Sequence, residues 1–92
     1  MELGFEWDEA KSRENWRKHR VSFEDAKTVF NDPLLLTFPD EEHSSDENRA
    51  ISIGLSARHN LLLVVHTDRQ KNIRIISARK ATARERAIYE TN

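Results

Sequence analysis

The sequence predicts an α+β fold: a small antiparallel sheet of three or four strands, with two helices before it and one after. Three observations carry that expectation. Apolar residues alternate with polar or small ones over 49–55 and recur in strand-like runs at 61–67 and 73–79. Only "ARHN" and "DRQKN" separate these runs, connections too short for a crossover, so neighbouring strands run antiparallel. Helix-start residues precede apolar stripes near the N-terminus, and one more stands after the last strand run.

Taken in order, "FEW" (5–7) is a short strand candidate, and Asp8 can N-cap a helix running to about Lys18. Trp16, with Ala10 and Trp7, is expected on the buried side of that helix. "VSFED" opens a second helix. Ser22 and Asp25 form a shortened capping box, Val21 can staple onto Ala26, and Phe23, Ala26, Val29 and Phe30 make one stripe. Asp32-Pro33 ends it, because the residue before proline avoids the α region. "LLLTF" (34–38) reads as a strand and the acidic stretch after it as a loop. "LLLVVHT" is apolar on both faces, as suits a central strand covered on one side by helices and partly on the other. Thr82 and Glu85 then make a capping box for a helix ending near Tyr89.

Composition narrows the function classes. Ninety-two residues suit one domain, expected to span 1–92, with a modest core. There is no cysteine, hence no disulfide framework and no thiolate metal site. No signal-peptide pattern opens the chain, and the longest apolar run, Leu61–Val65, is too short to cross a bilayer, so a cytoplasmic location with no membrane partner is expected. The two glycines form no phosphate loop, and the four histidines include no i,i+4 pair; neither cofactor nor metal is expected. The net charge of −1 conceals two blocks: "DEEHSSDE" (40–47) holds five acids and no Lys or Arg, while 69–86 holds seven Lys or Arg and one acid. Such blocks are either solvated faces or, for the basic one, a local anion site.

Several side chains suit phosphate chemistry. Glu47 and Arg49, two apart at the mouth of a strand, point the same way: a carboxylate base held by a guanidinium, or a surface ion pair. Arg79 shares strand parity with Ile73, Ile75 and Ser77 but sits at the strand end, where it can leave the core; its fork suits a phosphate, or else an ion pair with Glu47 or Asp46. Lys80 stands beside it. Arg74, opposite in parity to Ile75, lines the open face with Arg69 or His66, or is an ordinary solvent-side cation. Lys18 and His19 end the first helix, where the dipole favours cations. His66 reads as an inner-face residue satisfied by hydrogen bonds, His43 and His59 as loop residues, and Arg84 and Arg86 as solvated positions or contacts for an acidic partner.

These residues also carry a family pattern. "FEWDEAKSRENWRKHRVSFEDAKTVFNDP", "ENRAISIGLS" and "IRIISARKATARERAIY" resemble the BrnT toxins, ribonucleases of type II toxin–antitoxin systems, over about residues 5–89. The resemblance implies a RelE-like fold, RNA cleavage without a metal, and neutralisation by a BrnA-like antitoxin. That partner carries a ribbon-helix-helix segment, through which alone operator DNA would be engaged. The family's E-x-R supports a catalytic role for Glu47. Because an antiparallel sheet can bring element ends to one rim, the expected catalytic set is Lys18, His19, Glu47, Arg49 and Arg79, with Arg69, Arg74 and Lys80 expected to hold RNA phosphates. One position departs: the family's K-H-G is Lys18-His19-Arg20 here. Arg20 must take the left-handed conformation, at about 1 kcal/mol or more, or close the turn differently. Two other readings stay open: a degenerate, non-catalytic toxin that binds an antitoxin and modulates repression, and an interaction domain whose basic patch meets an acidic protein.

Overall fold

The computed structural model describes residues 4–43 and 48–91. The elements are β1 (Gly4–Glu6), α1 (Glu9–His19), α2 (Phe23–Ala26) continued by a 3-10 turn (Lys27–Asn31), β2 (Leu36–Pro39), a second 3-10 turn (Glu41–His43), β3 (Arg49–Leu55), β4 (Leu61–Arg69), β5 (Asn72–Lys80) and α3 (Ala83–Glu90). The strands make one sheet in the order β1-β5-β4-β3-β2.

From β2 to β5 the sheet is the antiparallel meander that the short turns require. The expectation of three or four purely antiparallel strands is corrected at one edge. β1 is a fifth strand and runs parallel to β5, with Gly4 opposite Asn72 and Glu6 opposite Arg74. A parallel pair needs a long crossover, and here everything between the two strands supplies it. The sheet is therefore mixed, and the second helix is one α turn prolonged as 3-10.

The helical layer follows its caps. Asp8 accepts from the Ala10 and Lys11 amides at 2.8 and 3.2 Å, and Ser22 accepts from the Asp25 amide at 3.0 Å. The Phe23–Phe30 stripe lands on the sheet as expected: Phe23, Ala26 and Val29 pack with Leu62, Val64, Ile75 and Ala78, with Phe5, Trp7 and Phe30 around them. Gly54 permits this approach, since a Cβ there would lie 2.7 Å from Leu35 Cδ1 and 3.1 Å from Val29 Cβ. The opposite face carries a smaller apolar group, Ile53, Leu61 and Leu63, partly covered by Ala81 and Tyr89. Asp32 ties the layers together by accepting from the Leu55 amide at 2.8 Å and the Tyr89 hydroxyl at 2.6 Å.

The expected buried face of α1 is corrected. Trp16 is 46% exposed and Ala10 is exposed, whereas Asn15 is buried. The reason lies in β5: β1 pairs with it only as far as Arg74, so its outer edge beyond is left without a strand. Asn15 occupies that edge. Its Nδ2 donates to the Ala78 carbonyl at 2.8 Å and to the Val21 carbonyl at 2.9 Å. Its Oδ1 accepts from the Ala78 amide at 3.0 Å. Trp7 does reach the core, edge-on to Phe23 with ring centroids 5.9 Å apart.

Arg20 resolves the departure at the end of α1 by taking the left-handed conformation (φ 57°, ψ 32°) and donating its amide to the Trp16 carbonyl. Its guanidinium carbon lies 5.8 Å from the Trp16 ring centroid, a cation–π contact that offsets part of the strain. Arg20→Gly removes the strain but also loses that contact and loosens the unfolded chain. Its expected effect is a gain of no more than about 1 kcal/mol, read from the urea midpoint. A clear loss would show that the Trp16 contact outweighs the strain.

His66 faces the helical layer, edge-on to Phe30, not the open face shared with Arg74. Its Nε2 lies 2.7 Å from Ser52 Oγ, which lies 2.8 Å from Thr37 Oγ1. Nδ1 is buried with no partner among the described residues. Burial holds the ring below the ordinary imidazole pKa, only partly opposed by Asp68. Below pH 6.5 the unfolded chain takes up a proton that the folded chain resists, so stability should fall as pH drops from about 6.5 toward the folded value. His66→Gln should flatten that slope in urea melts between pH 7 and 5; an unchanged slope would refute the assignment.

Candidate active-site groove

β5 begins as a strand with its isoleucines toward the helices. Ile73 and Ile75 are buried, Ile75 within the helix-side core. The register then slips: Ser77 pairs with Val65 and Ile75 with His66, leaving Ile76 as an extra residue. An extra residue in a strand reverses the parity beyond it. Ala78 therefore enters the helix-side core, while Ile76, Ser77 and Arg79 line the other face. Arg79 reaches the open face through the bulge; simple alternation from Ile75 would have aimed it at the helices.

The bulge lines a groove of about 480 Å³. His19 enters it from the end of α1, Arg49 from the start of β3, and Arg79 from the end of β5. Ile51, Leu63 and Val65 form its floor, and Asp40, Glu42 and Glu85 complete its charged rim. Three of the five expected catalytic residues thus meet in one place. Lys18 lines a smaller neighbouring cavity of about 170 Å³ that also touches His19, Ile76 and Ser77; its ammonium lies 3.6 Å from Glu14. Glu47, and with it Asp46, lies outside the described residues.

The expected phosphate-binding cations do not gather there. Arg74 donates to Glu6 at 3.0 Å across the β1–β5 pair, and Asn72 donates to the other Glu6 oxygen at 3.1 Å. Those bonds, Asn72 first and then Arg74, lower the Glu6 pKa. Arg69 is exposed at the far end of β4, opposite Asn72. Lys80 is exposed, and its parity after the bulge is opposite to that of Arg79, away from the groove.

Arg79 is paired with Glu85; the expected alternatives, ion pairs with Glu47 or Asp46, fall outside the described residues. Its Nη1 and Nη2 donate to Glu85 Oε1 and Oε2 at 2.8 and 2.9 Å. This grip, together with the Thr82 amide at 2.9 Å, holds the Glu85 carboxyl down to about 2 against the opposing effect of burial. Among the described lining residues, two guanidiniums, Arg49 and Arg79, thus share the groove with three carboxylates, Asp40, Glu42 and Glu85. Sequence reasoning did not single out Asp40 or Glu42, which belong to the acidic block, and it treated Glu85 only as a helix cap. Among the described residues, no three His, Asp or Glu side chains gather as a metal site.

The fold and groove define a small α+β protein whose sheet is helix-backed on one face and carries a groove lined by charged side chains on the other. The family model for the ribonuclease toxin, BrnT, of type II toxin–antitoxin systems matches residues 7–85. The 1.1 Å crystal structure of the Brucella abortus ribonuclease toxin, BrnT, is similar, with a TM-score of 0.68 over 88% of this chain and 99% of that one, at 24% identity. At that identity the likeness is one of fold. No curated protein matches the chain. The chain belongs to the BrnT family of ribonuclease toxins of type II toxin–antitoxin systems. Membership implies an antitoxin partner. No helix among the described residues is long and apolar enough to cross a membrane.

Proposed function

We propose that the chain is a single toxin domain that cleaves RNA without a metal ion, using the groove at the β5 bulge. The observation that carries this is the convergence of His19, Arg49 and Arg79 from three separate elements. Metal-free cleavage needs a base for the 2′-hydroxyl, cations for the charge developing on the phosphate, and an acid for the leaving 5′-oxygen. Arg49 and Arg79 hold the scissile phosphate. His19 protonates the leaving oxygen, with Lys18 adding charge nearby. Glu47, two residues before Arg49, serves as base or orients the 2′-hydroxyl. Arg69, Arg74 and Lys80 lie away from the groove, so any contact they make is with RNA running beyond it.

The partner proposed is a BrnA-like ribbon-helix-helix antitoxin that covers the groove and alone brings the pair to operator DNA. The family implies an antitoxin; its type is inferred from the sequence resemblance.

Purified protein with end-labelled RNA and excess EDTA should yield fragments with 2′,3′-cyclic phosphate ends, the product of 2′-hydroxyl attack. Glu47→Gln should slow the reaction by about a hundredfold, the usual contribution of a positioned base. Failure of the wild-type protein to cleave any RNA would favour the alternative, a non-catalytic module acting through its antitoxin.

A further inference from the structure

Glu85 occupies the third position of α3, where the capping box asks only that it accept from the Thr82 amide. It does that and also grips Arg79 with both oxygens. We infer that Glu85 is a positioning residue for cleavage: it holds the end of the Arg79 guanidinium and so presents the other fork, Nε and Nη2, to an RNA phosphate in the groove. This rests on the phosphate-holding role proposed for Arg79.

The hydrogen count supports it. A guanidinium carries five N–H donors in one plane. Nη1 donates to Glu85 at 2.8 Å and to the Lys80 carbonyl at 3.3 Å, and Nη2 donates to Glu85 at 2.9 Å. The remaining two, Nε–H and the second Nη2–H, have no partner among the described residues. They lie parallel on one edge of the plane, the geometry that takes two phosphate oxygens at once. The side chain lines the groove and is 38% exposed, so a ligand can reach it.

Holding an otherwise flexible arginine before substrate arrives removes an ordering step from the reaction. The same carboxylate weakens the groove's attraction for RNA, since it cancels the charge it orients. Orientation and affinity therefore pull in opposite directions, which a plain helix-capping role would not produce.

Glu85→Gln keeps the side-chain shape and one acceptor but turns an amide against the other Nη. It should lower kcat about tenfold or more while leaving KM for RNA unchanged or reduced. Thr82→Ala breaks the capping box yet keeps the backbone amide that holds Glu85. It should keep wild-type kcat and lower the melting temperature by about 4–8 °C. Independently of turnover, the Arg79 Nε–H resonance of the wild-type protein should shift on adding a 2′-O-methyl oligoribonucleotide, and should not shift in Glu85→Gln.

Unchanged kcat in Glu85→Gln, where Arg79→Ala is strongly impaired, would overturn this inference and leave the site reading standing. A raised kcat would overturn it in favour of an inhibitory latch. A silent Nε–H resonance in the wild type would overturn it even with cleavage unmeasured. Unimpaired Arg79→Ala would remove the site reading, and this inference with it.

Discussion

Arg79→Ala should cleave RNA at least about a hundredfold more slowly than the wild type, as for other preorganised groups that stabilise developing charge. Arg79 is the groove cation whose surroundings are best defined: the bulge at Ile76 aims it, and Glu85 fixes it. Its contribution to stability is a partly exposed ion pair, in the range of about 0–1 kcal/mol. Some loss follows from leaving Glu85 without its main partner, so a melting temperature within about 8 °C of wild type is expected. The discriminating result is thus a large rate loss in a protein that still folds. A variant that melts normally and cleaves at the wild-type rate would reduce Arg79–Glu85 to a surface tie between β5 and α3. Arg79→Lys should recover little, because an ammonium cannot be gripped at one end and present a second fork at the other.

Asn15→Ala should cost about 3 kcal/mol of folding stability. Its amide makes three bonds in a buried position, two of them to the same residue of β5. Truncation leaves the Ala78 amide and the Ala78 and Val21 carbonyls without those partners, at about 1–3 kcal/mol for each group that water cannot reach. A chain of this length is stable by only about 5–14 kcal/mol, so the variant loses a large share. Asn15→Asp should be no better: a carboxylate can accept from the Ala78 amide but faces two carbonyls to which it cannot donate. The urea midpoint at constant slope measures the loss, and the exchange rate of the Ala78 amide locates it. His19 is one helical turn beyond Asn15, so cleavage by the folded fraction should also fall as α1 loosens. A midpoint within about 0.5 kcal/mol of wild type would show that water replaces the amide at little cost.

The interactions legible in the sequence are local ones. Asp8, Ser22 and Thr82 act on amides two or three residues ahead, so a cap and its helix can be read together. The period-two runs reported β3, β4 and β5, and their short turns set the antiparallel pairing. Of the site, His19, Arg49 and Arg79 were legible as phosphate-suited side chains at element ends, and in the structure they line one groove. Arg74 shows the limit of that reasoning. Its type and strand position suit RNA as well as Arg79's do, yet Glu6, 68 residues away in the chain, holds it elsewhere.

By itself, the sequence determined the helices, their caps, the meander, the stripe on α2 and the family pattern across the chain. Only the tertiary structure decided the parallel fifth strand, the burial of Asn15 in place of Trp16, the face on which Arg79 emerges and the choice of Glu85 as its partner. The physical reason is the reach of the interactions. A cap or an apolar period is satisfied within a turn or along one strand, so neighbouring residues specify it. Three residues of β1 carry too little period to reveal a partner, and a bulge exists only relative to the strand beside it. The edge that Asn15 fills is open because β1 stops short, and its bonds to Ala78 span 63 residues. Each of those outcomes depends on which chain lies alongside, and no local stretch of sequence contains that.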